Sequence, residues 1–146
     1  MKTLIIYYTF GGSTKKEADS IAKELGAATC QVKESHRRSI LGAFIPGVFQ
    51  AAGRKRVGIE PLQVDLREFD KIMIGCPIWA GYPAPAFNSI IDALPSGKDI
   101  ELFFCSGGGG TPKSRQGTEE MIKSKDCKLL SYRDVFTNVA PEKMKK

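Results

Sequence analysis

Six consecutive residues near the start of the chain, Thr9-Phe10-Gly11-Gly12-Ser13-Thr14, combine two glycines with three hydroxyls. Glycine lets backbone N–H groups wrap an anion, and the hydroxyls add donors. A helix starting here would aim the positive end of its dipole at the same point. The chemistry this composition suits is phosphate binding. A plain strand-to-helix turn capped by Ser13 or Thr14 would carry the same residue types. A Walker loop needs Gly-Lys before a Ser or Thr, and the dinucleotide fingerprint needs a third glycine where Lys15-Lys16-Glu17 stands. Neither is met, and no cysteine has an arginine a short fixed distance onward, so a phosphate would be held here without reacting.

Two further stretches could complete a site. Pro77-Ile78-Trp79-Ala80-Gly81-Tyr82 carries the only tryptophan of the chain on a proline-stiffened segment. Trp79 or Tyr82 could offer a rigid face to a flat ligand, although Trp79 could equally be a core anchor closing the end of a sheet. Ser106-Gly107-Gly108-Gly109-Gly110 lets backbone approach a ligand edge and present N–H donors without side chains in the way. A flavin ring has carbonyl oxygens and ring nitrogens along one edge that need such donors. A flexible connector is the alternative reading of the same glycines.

The elements that must position these loops follow from periodicity. Leu4 to Tyr8 reads as a buried first strand, and Ala18, Ile21, Ala22 and Leu25 recur at helical spacing before a stop at Gly26. Ala27 to Val32 is a weaker second strand. Ile40 to Ala52 carries an apolar stripe interrupted by Pro46 and Gly47, read as a kinked helix with Arg37 and Arg38 before it and Arg54, Lys55 and Arg56 after it. Lys71 to Cys76 is a third strand stopping at Pro77, Ala84 to Leu94 a helix, and Ile100 to Cys105 a fourth strand. Lys113 to Lys123 is a helix, Lys128 to Phe136 the last strand, and the tail from Asn138 is expected to fray.

Strands alternating with helices predict an α/β fold: a doubly wound, five-stranded parallel sheet with helices on both faces. Residues 1–146 are expected to form one domain. In such sheets ligands bind beyond the carboxyl ends of the strands, where strand order reverses. The three loops above follow strands one, three and four, so they should meet at one rim.

Composition narrows the function classes. Charged residues are 26% of the chain and hydrophobic ones 42%, an ordinary globular balance that argues against disorder. Cys30, Cys76, Cys105 and Cys127 form no Cys-x-x-Cys pair and there is one histidine, His36, so a zinc site, a dithiol motif and an iron–sulfur cluster are not expected. Buried free thiols are. The residues after Met1 resemble no secretion signal, no apolar run is long enough to cross a bilayer, and a cytoplasmic location is expected.

The strand Leu4 to Tyr8 with its Thr9 to Thr14 loop, and the stretch Asp70-Lys71-Ile72-Met73-Ile74-Gly75-Cys76-Pro77-Ile78-Trp79-Ala80-Gly81, resemble the flavodoxin family. The likeness runs, more loosely, from Met1 to about Phe136. It implies strand order 2-1-3-4-5 and flavin mononucleotide (FMN) as cofactor. Carried over by position, Thr9, Gly12, Ser13 and Thr14 would contact the phosphate, Trp79 and its neighbours would pack on the ring, and Ser106 to Gly110 would face its polar edge. Gly11 stands where the family usually has a hydroxyl residue.

The function this implies is electron transfer between redox partners, with chemistry supplied by the flavin and no protein nucleophile or general base. A small FMN-dependent NAD(P)H:quinone-type oxidoreductase is the enzyme alternative, and a flavin-free basic binding module the other. Net charge is +6, whereas flavodoxins tend to be acidic. Redox partners with acidic docking surfaces are therefore expected; the basic segment 37–56 reads either as a core-facing crossover helix with solvated ends or as the element that meets such a partner, and the reduced flavin should be favoured by nearby cations. Nucleic acid is not expected, because basic and aromatic residues do not interleave and no recognition helix is evident.

Overall fold

A computed structural model of the chain describes residues 2–35, 53–107 and 110–137. The kinked helix expected over Ile40 to Ala52, Gly108 and Gly109, and the tail from Asn138 lie outside the described residues.

Strand β1, Thr3–Tyr8, is buried along its length and leads through the first glycine loop into helix α1, Ser13–Leu25. Gly26 caps that helix in the left-handed conformation, φ 64°, where the sequence places its stop. Among the described residues the remaining strands and α-helices are β2 (Ala28–Val32), β3 (Lys71–Trp79), β4 (Tyr82–Pro83), α2 (Pro85–Ala93), β5 (Asp99–Ser106), α3 (Arg115–Ser124) and β6 (Lys128–Phe136), with a 3-10 turn at Leu66–Glu68. The sheet order is β2-β1-β3-β5-β6, all parallel, with β4 paired antiparallel to β3. With the two-residue β4 set aside, this is the doubly wound order 2-1-3-4-5. The order reverses between β1 and β3, and the loop after β1 opens at that switch point.

Two corrections concern β3. Its expected end at Cys76 is wrong: the strand continues through Pro77 to Trp79, with Pro77 opposite Cys105. A proline is tolerated where its missing N–H is not required, and the Pro77 carbonyl still accepts from the Ala84 N–H at 3.0 Å. The segment after it is a hairpin: Trp79 pairs with Tyr82 across Ala80 and Gly81, whose φ values of 53° and 87° fit a type I′ turn.

The two faces of the sheet carry separate cores. Leu4, Ile6, Ile72, Ile74, Ile100, Leu102 and Phe104 point to one face, where α2 contributes Phe87 and Ile90 and α3 contributes Ile122. Ile5, Tyr7, Met73, Phe103 and Cys105 point to the other, beneath Ala18 and Ile21 of α1. This alternation is what a strand imposes when both of its faces are covered. Gly75 provides room on the α1 side, since a Cβ there would lie 2.2 Å from the Phe103 ring.

Candidate anion and flavin site at the switch point

The first loop places its donors without spending them. Gly12 is the N-cap of α1 at φ 103°, a backbone state suited to glycine, and no side chain caps the helix. The expected capping by Ser13 or Thr14 is thus not found. Thr9 Oγ1 instead accepts from the Gly12 N–H at 3.1 Å and holds the loop closed upon itself. The first backbone bond of the helix runs from Lys16 N–H to the Gly12 carbonyl at 3.0 Å, so the N–H groups of Ser13, Thr14 and Lys15 have no partner within it. The first turn contains Lys15 and Lys16 and no acidic residue. With no carboxylate to meet it, the positive end of this helix is left for an external anion.

Opposite that turn stands the end of β5. The Ser106 side-chain oxygen is buried and has no hydrogen-bond partner, which costs free energy unless a ligand or water satisfies it. The Ser106 carbonyl accepts from the Thr137 N–H at 2.9 Å, fixing the exit of the strand. Between the two elements lies a cavity of about 60 Å³. It is lined by Thr9, Phe10, Gly11, Ser13 and Thr14 from the first loop, Pro77 and Ile78 from the second, and Ser106 and Gly107 from the third. The cavity suits a phosphate-sized group, and the donors around it fit one.

Two lining residues are not among the cofactor-binding residues expected from the sequence: Cys105 and Thr137. Cys105 carries the signal of a strand-end position, whereas Thr137 arrives only through the parallel pairing of β5 with β6. Burial pushes the Cys105 thiol up to about 11, with the Thr14 hydroxyl offsetting part of the rise. Burial also holds the Cys76 thiol well above its ordinary value. Both are neutral near pH 7, so neither adds a negative charge beside the cavity. All four cysteines are free and buried, as expected.

The second loop is divided by its hairpin. Pro77 and Ile78 face the cavity, but the Trp79 indole is buried, 5% exposed, with Tyr8 and Phe10 edge-on to it at centroid distances of 6.3 and 5.7 Å. Phe10 is the member of this trio that lines the cavity. Ala80, Gly81 and Tyr82 do not line it. The Gly81 carbonyl accepts from Ser114 Oγ, and the Tyr82 ring has Arg54 and Lys113 each 5.5 Å from its centroid. Gly12 and Gly110 are likewise outside the lining set.

The basic residues after the undescribed segment are largely engaged. Arg54 donates to the Ser114 carbonyl and Thr118 Oγ1, both at 2.9 Å, and burial lowers its pKa. Arg56 pairs with Asp92 at 2.8 Å, while Lys55 is exposed. Among the described residues no cluster of three potential metal ligands exists, and no helix is long and apolar enough to cross a membrane.

No family model matches the chain, and no curated protein matches its sequence. Solved structures do. The flavoprotein of Lactobacillus acidophilus, determined in complex with FMN, superposes with a TM-score of 0.77 at 26% identity, covering 91% of this chain and 92% of its own. A chain named as a flavoprotein from Bacteroides uniformis gives 0.81 at 20% identity, covering 99% and 95%. Oxidised flavodoxin 2 of Bacillus cereus gives 0.59 at 16% identity, covering 99% and 93%. In strand order, connection and placement of its open loop, the chain has the flavodoxin-like fold.

Proposed function

We propose that this protein binds FMN at the β1–β3 switch point and carries electrons between redox partners. The observation that carries the reading is the buried, unsatisfied Ser106 hydroxyl facing the uncapped start of α1 across a phosphate-sized cavity. A phosphate held there would satisfy both elements, and Phe10, Pro77, Ile78 and Gly107 are the residues left to meet the ring. The similarity to the FMN complex of the Lactobacillus acidophilus flavoprotein supports the same ligand. When bound, the flavin supplies the electron chemistry, accepting one or two electrons. The chain binds the phosphate, shields one side of the ring and sets the charge around it.

The partners in this reading are proteins with acidic docking surfaces. Lys16, Lys113 and Arg115 are exposed near the carboxyl rim, and the whole chain carries a net charge of +6. Opposite charge would speed their encounter in a salt-dependent way. Four free, buried cysteines suit a reducing cytosol, where we place the protein.

Titration of ligand-free protein with FMN and with riboflavin tests the phosphate site. FMN should bind at least about a hundredfold more tightly, the scale of a few charge-assisted hydrogen bonds. Equal affinities, or no binding of either, would overturn the reading. Sustained NADPH oxidation by the pure protein would replace the carrier by an oxidoreductase.

A further inference from the structure

A half-buried cation without a carboxylate stands beside the β3–β4 hairpin. The Arg54 guanidinium donates to Thr118 Oγ1 and to the Ser114 carbonyl, both at 2.9 Å, and lies 3.2 Å from the Met121 sulfur. All three acceptors are neutral. Gly117 of α3 leaves the room it occupies, since a Cβ there would come within 3.0 Å of Arg54 Nη2. Lys113 brings a second cation to the same ring: Arg54 and Lys113 each lie 5.5 Å from the Tyr82 centroid. Arg115 follows over the Tyr132 ring, 4.4 Å from its centroid, and pairs with Glu119 at 3.3 Å. Among the described residues neither Arg54 nor Lys113 has a carboxylate within ion-pair distance. A guanidinium drawn partly out of water and set beside a like charge is unfavourable until an anion arrives.

The frame around these cations is fixed in advance. Ser114, 2% exposed, gives its hydroxyl proton to the Gly81 carbonyl while its own carbonyl accepts from Arg54. One buried residue therefore fastens the hairpin, residue 54 and the start of α3 to one another. Arg54 and Ala80 both stand at φ 53°, two of the three left-handed non-glycine residues described. That backbone state costs free energy in a residue with a side chain, and it persists where the surroundings over-determine it, as they do at binding sites. Lys113, Arg115 and Ala80 are exposed and Tyr82 is half-buried, so cations and ring face solvent without needing to be ordered first.

We propose that Arg54, Lys113 and Arg115 around the Tyr82 hairpin form the docking surface for an acidic segment of a partner protein. Lys113 and Tyr82 meet the partner's carboxylates, and Arg54 supplies the positive field behind them. Charge complementarity selects the occupant, because the two charges left without a counterion are both positive. The hairpin tip offers Ala80 and Gly81 and no large apolar side chain to enter a bilayer, and three cations around two rings make a spot, not a stripe that tracks a phosphate backbone. None of these residues lines the anion cavity, so the surface is separate from the phosphate site. That the partner is a redox protein rests on the electron-carrier reading above; the acidity of its docking segment does not.

The test titrates poly-L-glutamate into the full chain supplied with FMN, at low and at physiological salt. Wild type is compared with K113E, R54Q and K23E, the last replacing an exposed lysine in the final turn of α1. K113E should weaken binding about tenfold or more and R54Q about threefold or more, while K23E, with the same change of net charge as K113E, stays within about twofold of wild type. Added salt should weaken wild-type binding. FMN affinity should be the same in all four, because none of the three positions lines the cavity. If R54Q does not fold, K113E against K23E carries the comparison. Equal weakening by K113E and K23E, or no binding of poly-L-glutamate by wild type, overturns the docking surface. Tighter binding of a DNA duplex or of phosphatidylserine vesicles, lost in K113E, overturns the protein partner in favour of that ligand. Failure to take up FMN overturns the electron-carrier reading alone, and the acidic docking then stands or falls on the poly-L-glutamate titration.

Discussion

The first loop and the β3–β4 hairpin are both glycine-bearing, aromatic connections at the carboxyl end of the sheet, yet one is open for business with a ligand and the other is closed. In the hairpin the Gly81 carbonyl is taken by Ser114, the Pro77 carbonyl by Ala84, and the Tyr82 ring by two cations, while Trp79 is in the core. In the first loop Thr9 braces Gly12, and the helix start beyond it keeps its donors, with the Ser106 hydroxyl equally unspent across the gap. Glycine content does not separate the two. Hydrogen-bonding capacity left over after folding does, because a buried polar group without a partner costs free energy until something binds it.

Four changes would break or sharpen that contrast. Trp79→Ala should have the largest effect, removing a buried aromatic from the hairpin side at a cost of about 3–5 kcal/mol, read as a large loss in chemical denaturation. If Trp79 were a ring platform rather than a core residue, FMN affinity would fall and ligand-free stability would hold. Ser106→Ala should act with opposite signs. Relief of the unsatisfied hydroxyl should stabilise the ligand-free protein by about 1 kcal/mol, while FMN affinity drops several-fold. A loss of ligand-free stability would mean the hydroxyl has a partner already.

Ala80→Gly comes next. Ala80 occupies the left-handed region at φ 53°, a strain of about 1–2 kcal/mol that glycine avoids, less about 0.5–1 kcal/mol of added unfolded-state entropy. A small stabilisation with unchanged FMN affinity is the expected result, and a change in affinity would tie the hairpin tip to the ligand. The last effect is silent at neutral pH. With the folded Cys105 thiol raised to about 11, the unfolded chain loses this proton first as pH climbs. Stability contributed by Cys105 is complete below its ordinary thiol value, about 9, and is lost on approaching 11. Denaturation of wild type and Cys105→Ser across that window should show the steeper decline in wild type; parallel curves would deny the shift.

Much of the architecture was legible because local and global signals agreed. The apolar runs Leu4 to Tyr8 and Leu102 to Cys105 read as strands buried on both faces once helical periods separate them. Even the weak second strand is present, as Ala28–Val32. The end of β3 was misread because Pro77 and an Ala-Gly turn lack the usual hairpin signature of Asn-Gly or Asp-Gly. Of the candidate site, the first loop apart from Gly12, with Pro77, Ile78, Ser106 and Gly107, converges on one cavity. Thr137 was not legible, since it reaches that cavity through pairing of β5 with β6 that no local pattern records.

The unequal covering of the sheet bears on the fate of the ligand-free chain. On one face the buried apolar cluster numbers twenty-two described residues, and on the other, under α1, only seven. Taking the described residues alone, the smaller cluster under α1 should open at lower cost than the larger one. The cavity is lined from the start of α1 and the end of β5, so a bound phosphate would act as a clasp between them. A ligand-free chain should then be cut by a protease at α1 sooner than a chain holding an anion at that site.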